Sequence, residues 1–168
     1  MREHSGGERG QLLRRCRPVL AARVMIPRPA PEPTSLTRGF WEAARHHELV
    51  IQRCSACGVY RHYPRVLCPD CHSADWQWTP VSGRGTIFTF TVTHRAFHPA
   101  WVDRVPYVCA TIELDEGVRM VSDLPAEDTT RAAIGMRVEV FFEEQPDSGA
   151  TLPRFRLCEN PPAYIAHE

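Results

Sequence analysis

The stretch Cys54-Ser-Ala-Cys57, followed by ten residues and then Cys68-Pro-Asp-Cys71, is the most specific signal in the chain. Two Cys-x-x-Cys pairs at this separation are typical of a zinc ribbon, in which each pair turns back so that both sulfurs face one ion. Gly58 follows the first pair, where the turn often needs a positive φ. Four thiolates complete a tetrahedral Zn²⁺ shell, so we predict a structural zinc with no open position. Two disulfides, four unrelated thiols, or iron in a rubredoxin-like site remain alternative interpretations.

Composition excludes several classes of function. The chain has 168 residues, 43% of them hydrophobic, which is enough for a packed core. Its 20 basic residues are all arginine, so a lysine Schiff base and a P-loop lysine are excluded. They balance 20 acidic residues. No apolar run approaches the roughly 18 residues of a membrane span. Seven cysteines, four of them at metal spacing, indicate a cytoplasmic protein rather than a secreted one.

Residues 1–33 differ from the rest of the chain. They contain seven arginines and end in a proline-rich stretch that cannot form a helix. An arginine-rich targeting arm or nucleic-acid tail is one interpretation. We favour a disordered leader, or an over-called start codon with Met25 as the true first residue, and we expect 1–33 to be dispensable for folding and assembly.

Residues 34–82 read as a helix followed by the ribbon. A helix over 35–47, capped by Ser35 or Thr37, places Phe40 and Trp41 on one apolar stripe. Strands are predicted at 49–54 and 60–66, on either side of the first cysteine pair. Because the ribbon core is small, Phe40 or Trp41 is also a candidate partner contact.

Residues 83–168 predict a five-stranded OB-fold, so the fold class is mainly β with an N-terminal helix and a rubredoxin-like zinc ribbon. Alternation over 86–93 places Phe88, Phe90 and Val92 on one face, which we assign to the core. Further strands are predicted at 107–114, 118–124, 138–142 and 155–157. A short helix over 127–134 between the third and fourth strands matches OB-fold order.

No catalytic constellation can be assembled from the residues. His94 and His98 lack a recognisable nucleophile, His72 is an unneeded fifth zinc ligand, and Cys109 sits in a strand without a group that would lower its pKa. Zinc-ribbon and OB-fold modules also suit single-stranded nucleic acid, which is the alternative function. Against it, residues 83–168 carry eight arginines and thirteen acidic residues.

The order of these features resembles a known family, the zinc-ribbon/OB-fold acyl-CoA-associated proteins, or domain-of-unknown-function family thirty-five. The resemblance covers about residues 35–158. It is carried by Phe40-Trp41, Cys54, Cys57-Gly58, Pro64-Arg65, Cys68, Cys71, Ser82-Gly-Arg-Gly-Thr86, Pro106-Tyr107, Glu113-Leu114, Gly117 and Gly135.

The resemblance implies a non-catalytic accessory subunit of a thiolase-superfamily enzyme, an acyl-CoA thiolase or a sterol side-chain thiolase-like aldolase. Thiolase-like dimers imply a two-plus-two heterotetramer. Within this picture Arg65 and Arg84 are candidates for contacts with CoA phosphates. Phe97 and Trp101, in the long loop 94–102, are candidate partner contacts in addition to Phe40 and Trp41.

Overall fold

The computed structural model describes residues 26–158, which contain one α-helix and two antiparallel sheets. A single hydrophobic cluster joins these elements, because Phe40 of the helix and Ile51 of the first sheet pack with Ile112 and Phe155 of the second. No helix in this part of the chain is long and apolar enough to cross a membrane.

The helix α1 spans Arg38–Arg45, inside the predicted 35–47. Thr37 occupies the N-cap position, but its side chain makes no capping bond. It bonds instead to Thr34, whose N–H donates to Thr37 Oγ1 at 2.9 Å. The helix buries Phe40 and Ala44, four residues apart on one face.

The ribbon sheet has the order β2-β1-β3, with β1 at Val50–Cys54, β2 at Tyr60–Arg61 and β3 at Trp76–Pro80. The second strand is shorter than the predicted 60–66. After Arg61 the chain leaves the ladder, because the N–H of Arg65 donates to the Gln52 side chain at 2.8 Å. The Gln52 side chain therefore binds the backbone of residues 62–66, which were predicted to continue the strand.

The second sheet has five strands, as predicted for the OB-fold. They are β4 at Arg84–Thr93, β5 at Tyr107–Leu114, β6 at Arg119–Leu124, β7 at Arg137–Glu144 and β8 at Thr151–Leu157, in the order β6-β5-β4-β7-β8. β6 and β8 are the two end strands of this order, and side chains bridge them. Ser122 Oγ donates to the Pro153 carbonyl at 3.2 Å, and Arg154 Nε donates to Asp123 at 2.7 Å.

The predicted helix over 127–134 is wrong. A short 3-10 helix, Ala126–Asp128, stands between β6 and β7. Asp128 is buried, and its carboxylate accepts the Leu157 N–H at 3.0 Å. This bond connects the turn to β8.

The assignment of Phe88 to the core is also wrong. The β4–β5 register shifts between Ile87 and Thr89, and such a bulge changes which residues face inward. Ile87 is buried, whereas Phe88 is 41% exposed with the Arg119 guanidinium 3.4 Å above its ring. Phe90 and Val92 lie on the core side, as predicted.

Residues 26–33 lie before the helix without regular structure. Arg28 in this segment is buried, and its Nη1 lies 3.8 Å from Glu143 Oε2 of β7. The arginine-rich residues 1–25, with Met25 as the alternative start, fall outside the described residues. The domain boundaries therefore stay predictions.

Candidate metal centre and partner-binding face

The four predicted cysteines lie together at one end of the ribbon sheet. Their sulfurs are all within 4.8 Å of one another, with 3.6 Å between Cys54 and Cys71 and 3.5 Å between Cys57 and Cys68. A tetrahedral zinc with bonds of about 2.3 Å separates its sulfurs by about 3.8 Å, so the cluster fits Zn²⁺ closely. Within residues 26–158 no histidine or carboxylate joins the group, and His72 is not a ligand.

Two similar backbone turns aim the sulfurs at one point. In the first, the Gly58 N–H donates to the Cys54 carbonyl at 3.0 Å, and in the second the His72 N–H donates to the Cys68 carbonyl at 3.1 Å. The residue after each pair has a positive φ, +78° at Gly58 as predicted and +60° at His72. The local sequence therefore builds two matching halves of one site.

The four thiols divide into two with a lowered pKa, Cys54 and Cys68, and two with a raised pKa, Cys57 and Cys71, because hydrogen bonds from neighbouring sulfurs raise the latter. Backbone N–H groups of Cys57 and Cys71 hydrogen-bond to the sulfurs of Cys54 and Cys68 and lower the pKa of those two thiols, to about 6 for Cys54. Half of the set is thus prepared to bind as thiolate, which is the form that binds zinc. With four sulfur ligands Zn²⁺ has no free coordination position, so the metal here is structural.

An apolar groove of about 370 Å³ lies between the ribbon half and the barrel. Phe40 and Trp41 of α1, residues 62–64 after β2, and Trp101 form one side. Strands β5, β6 and β8 form the other. The groove lies along the bridged edges of β6 and β8, at the place where the barrel ladder is interrupted.

The structure brings three of the four predicted interface residues to this groove. Phe40 is only 7% exposed, and it packs edge-on against Trp41 at 5.0 Å between ring centres. Trp101 folds back onto Tyr107, at 5.6 Å between centres. Phe97 lines no part of the groove but is 82% exposed in the same loop as Trp101. Their role in a complex stays a prediction.

The two candidate CoA arginines lie on different elements, and both are exposed. Arg65 follows the groove-lining Pro64, and its carbonyl accepts a 3.3 Å bond from Arg61 Nη2. Arg84 begins β4, where its carbonyl accepts the Asp115 N–H at 3.0 Å. Their predicted role is untested.

Sequence reasoning missed the segment 62–67. His62 lines the groove, and burial lowers its pKa to about 4, which keeps the ring neutral at physiological pH. Tyr63, Val66 and Leu67 are each more than half exposed. The apolar run around Pro64 was a signal for this surface, but the segment was assigned to a strand instead.

Cys109 also lines the groove, as a half-buried thiol. Burial and then the charge of Asp123 raise its pKa. A thiol in this environment is a poor nucleophile at neutral pH, in agreement with its sequence interpretation.

Comparison with known proteins agrees with this architecture. Residues 41–77 match the model of the ChsH2 rubredoxin-like zinc ribbon domain, and residues 78–143 match the model of the ChsH2 C-terminal OB-fold domain. A DUF35 domain-containing scaffold protein of Methanocaldococcus jannaschii is 32% identical over 60% of this chain and 72% of its own length. The chain belongs to the DUF35 family.

This DUF35 chain is also similar to two proteins whose descriptions name an aldolase and a hydratase subunit. A solved structure titled Ltp2-ChsH2(DUF35) aldolase superposes with a TM-score of 0.69 and 39% identity, over 76% of this chain and 98% of that one. A probable enoyl-CoA hydratase alpha subunit of Thermomonospora curvata is 41% identical over 80% of this chain. The match spans only 40% of that relative's length, so the relative contains a large part with no counterpart in the match.

Proposed function

We propose that this chain is a non-catalytic accessory subunit that binds and stabilises a thiolase-superfamily enzyme of acyl-CoA metabolism, a thiolase or a sterol side-chain thiolase-like aldolase. The observation that carries the proposal is the match to the DUF35 chain of the Ltp2-ChsH2 aldolase, which extends over 98% of that chain. A chain that shares almost the whole length and fold of a subunit is expected to share its way of assembling.

The chemistry of the described residues supports a non-catalytic role. The metal has four protein ligands and no position for substrate. The groove contains one histidine and one thiol that could take part in catalysis. His62 is neutral, and the pKa of Cys109 is raised. Neither provides an activated nucleophile, so the partner supplies the reacting groups.

Trp41, Phe97 and Trp101 are the proposed partner contacts, with Phe40 behind them. Large aromatic side chains supply much of the binding energy in protein interfaces. Phe97 is 82% exposed, and burying so large an apolar side chain against a partner gives a correspondingly large favourable binding free energy. We propose that two copies of this chain bind one thiolase-like dimer.

Arg65 and Arg84 are the proposed contacts for the phosphates of CoA where the acyl-CoA reaches the interface. Guanidinium groups bind phosphate oxygens with paired hydrogen bonds. Neither side chain is buried, so both remain accessible to a ligand carried by the partner.

Reconstitution tests the proposal. The chain is co-purified with the thiolase-superfamily protein encoded nearest to it, and carbon–carbon lyase or condensing activity is measured for each protein alone and for the mixture. We expect a stable complex on gel filtration and activity that depends on both proteins. Full activity of the thiolase-like protein without a complex would reject the accessory role, and acyl-CoA turnover by this chain alone would reject its non-catalytic character.

A further inference from the structure

Most of the exposed large hydrophobic side chains of the described residues line the apolar groove or lie within four residues of a lining residue along the chain. Of nine large hydrophobic side chains that are exposed among residues 26–158, six lie on three segments that also line the apolar groove. These six are Tyr63, Val66, Leu67, Phe97, Val102 and Val121. A concentrated apolar patch of this kind marks an interaction surface more often than scattered single residues do.

The groove at the centre of this patch has few polar groups available for a ligand. Asp123 and Arg154 bond to each other at 2.7 Å, and Ser122 donates to the Pro153 carbonyl. Small-molecule sites usually present several converging polar groups that orient the ligand. Val66 and Leu67, two and three residues after the groove-lining Pro64, are also exposed, and a small molecule within the groove would leave them uncovered.

The segment 62–67 is held from inside by a buried polar cluster. Gln52 is fully buried, and its Oε1 accepts bonds from Arg61 Nε at 2.5 Å and from the Arg65 N–H at 2.8 Å. Arg61 is 6% exposed and donates to the Arg65 carbonyl. This segment therefore presents its hydrophobic side chains from a fixed backbone, which reduces the entropy lost on binding.

The charge of the two loops beside the groove indicates what kind of partner surface would bind there. The segments 62–67 and 94–102 carry Arg65 and Arg95 and no acidic residue. Both arginines are exposed. The complementary surface is apolar at its centre and acidic at its edge.

We propose that the groove is a socket for a large hydrophobic side chain on the surface of the partner enzyme, and that the groove-lining Tyr63 and Val121 close around it. The inference rests on the proposed function and deepens it by naming the docking surface and the chemistry of the partner's patch. Interfaces of this kind bury an anchor in a pocket and surround it with contacts that exclude water.

The test compares charge insertions at matched exposure. Tyr63→Glu and Val121→Glu change groove-lining side chains that are 57% and 51% exposed, and Ile134→Glu changes one that is 65% exposed and lines no part of the groove. The dissociation constant for the purified thiolase-superfamily partner is measured by calorimetry for each variant. Because a carboxylate on the groove lining would be covered by the partner and desolvated without a charge partner, we expect the first two variants to bind at least about tenfold more weakly and Ile134→Glu to bind within about twofold of wild type.

Each outcome decides between the alternatives. If wild type binds and both groove variants bind within twofold of it, the socket is rejected while the accessory role stands. If the variants keep the partner but lose a long-chain acyl-CoA probe, the groove is a ligand site and the inference is overturned. Failure of the wild-type chain to bind overturns both proposals. Zinc content and melting temperature check each variant, and Tyr63→Glu, which lies outside the strands, decides alone if Val121→Glu does not fold.

Discussion

Arg28 is buried beside Glu143, with 3.8 Å between Nη1 and Oε2, and thus connects the segment before the helix to strand β7. Glu143 also accepts Arg154 at 3.0 Å and lies 3.5 Å from Arg104. The carboxylate is therefore shared by three arginines from separate parts of the chain.

This contact leads us to predict that two truncations behave differently. A chain starting at Ile26 keeps Arg28, whereas one starting at Pro33 exposes the surface that Arg28 covers. We expect the second to lose about 1–3 kcal/mol of unfolding free energy relative to the first, as for a change that breaks a buried ion-pair network. Urea unfolding of both, with Arg28→Ala in the longer chain, measures the difference. Equal stability of all three would restore the expectation that the whole of 1–33 is dispensable.

Loss of zinc is predicted to unfold the ribbon. Cys71→Ser removes one thiolate of the set, and because metal binding stabilises so small a module by about 10 kcal/mol, the ribbon should lose its structure. Metal analysis should fall from one zinc per chain to near zero, with loss of near-ultraviolet dichroism. The matched control is Cys109→Ser, which changes a thiol outside the cluster, and this variant should keep its zinc. A stable Cys71→Ser protein with full zinc would contradict the four-thiolate site.

The stability of the protein is predicted to fall in mild acid because of His62. Burial lowers the pKa of this ring to about 4, against about 6.5 in an unfolded chain. Between these values the unfolded state binds more protons, so the free energy of unfolding falls with pH from about 6.5 to about 4, by up to about 3 kcal/mol. Above pH 6.5 the group has no effect.

A His62→Phe variant isolates this effect, because zinc loss in acid acts on both proteins. Unfolding free energies of the zinc-loaded chains are compared from pH 7 to pH 4. The variant should show a shallower decrease, and parallel curves would show that His62 titrates normally.

Gly39 is predicted to resist substitution although it lies within α1. A Cβ at this position would overlap the indole of Trp78, which packs against the helix. Helix propensity alone favours Gly39→Ala by about 1 kcal/mol, whereas overpacking costs about 1–3 kcal/mol. We expect net destabilisation in thermal unfolding, with exposed Arg38→Ala nearly neutral. A rise in melting temperature for Gly39→Ala would show that Trp78 moves aside at little cost.

Arg65→Ala and Arg84→Ala test the predicted CoA contacts. Each should raise the Michaelis constant for acyl-CoA in the reconstituted complex by about 5- to 30-fold, since one charged hydrogen bond contributes about 1–2 kcal/mol. Exposed Arg131→Ala, three residues after the 3-10 helix Ala126–Asp128, is the control. An unchanged Michaelis constant would remove that arginine from the CoA site.

The metal centre and the positions of the strands along the chain were predictable because both depend on local sequence. Two Cys-x-x-Cys turns place their own sulfurs, and the positive φ at Gly58 follows from its place in the turn. The strand predicted at 107–114 is confirmed as β5, and its alternate residues from Val108 to Leu114 are buried. These patterns repeat within a few residues, so no distant contact is needed to interpret them.

The groove, the bulge at Phe88 and the position of Arg28 were decided only by tertiary structure. A one-residue register shift reverses which side of a strand faces the core, and the sequence of β4 alone contains no signal of it. The segment 62–67 leaves the strand because the side chain of Gln52, from the neighbouring strand, accepts hydrogen bonds from Arg61 and from the Arg65 N–H. Side chains brought together from distant positions set these features, since their energies depend on neighbours that local periodicity does not specify.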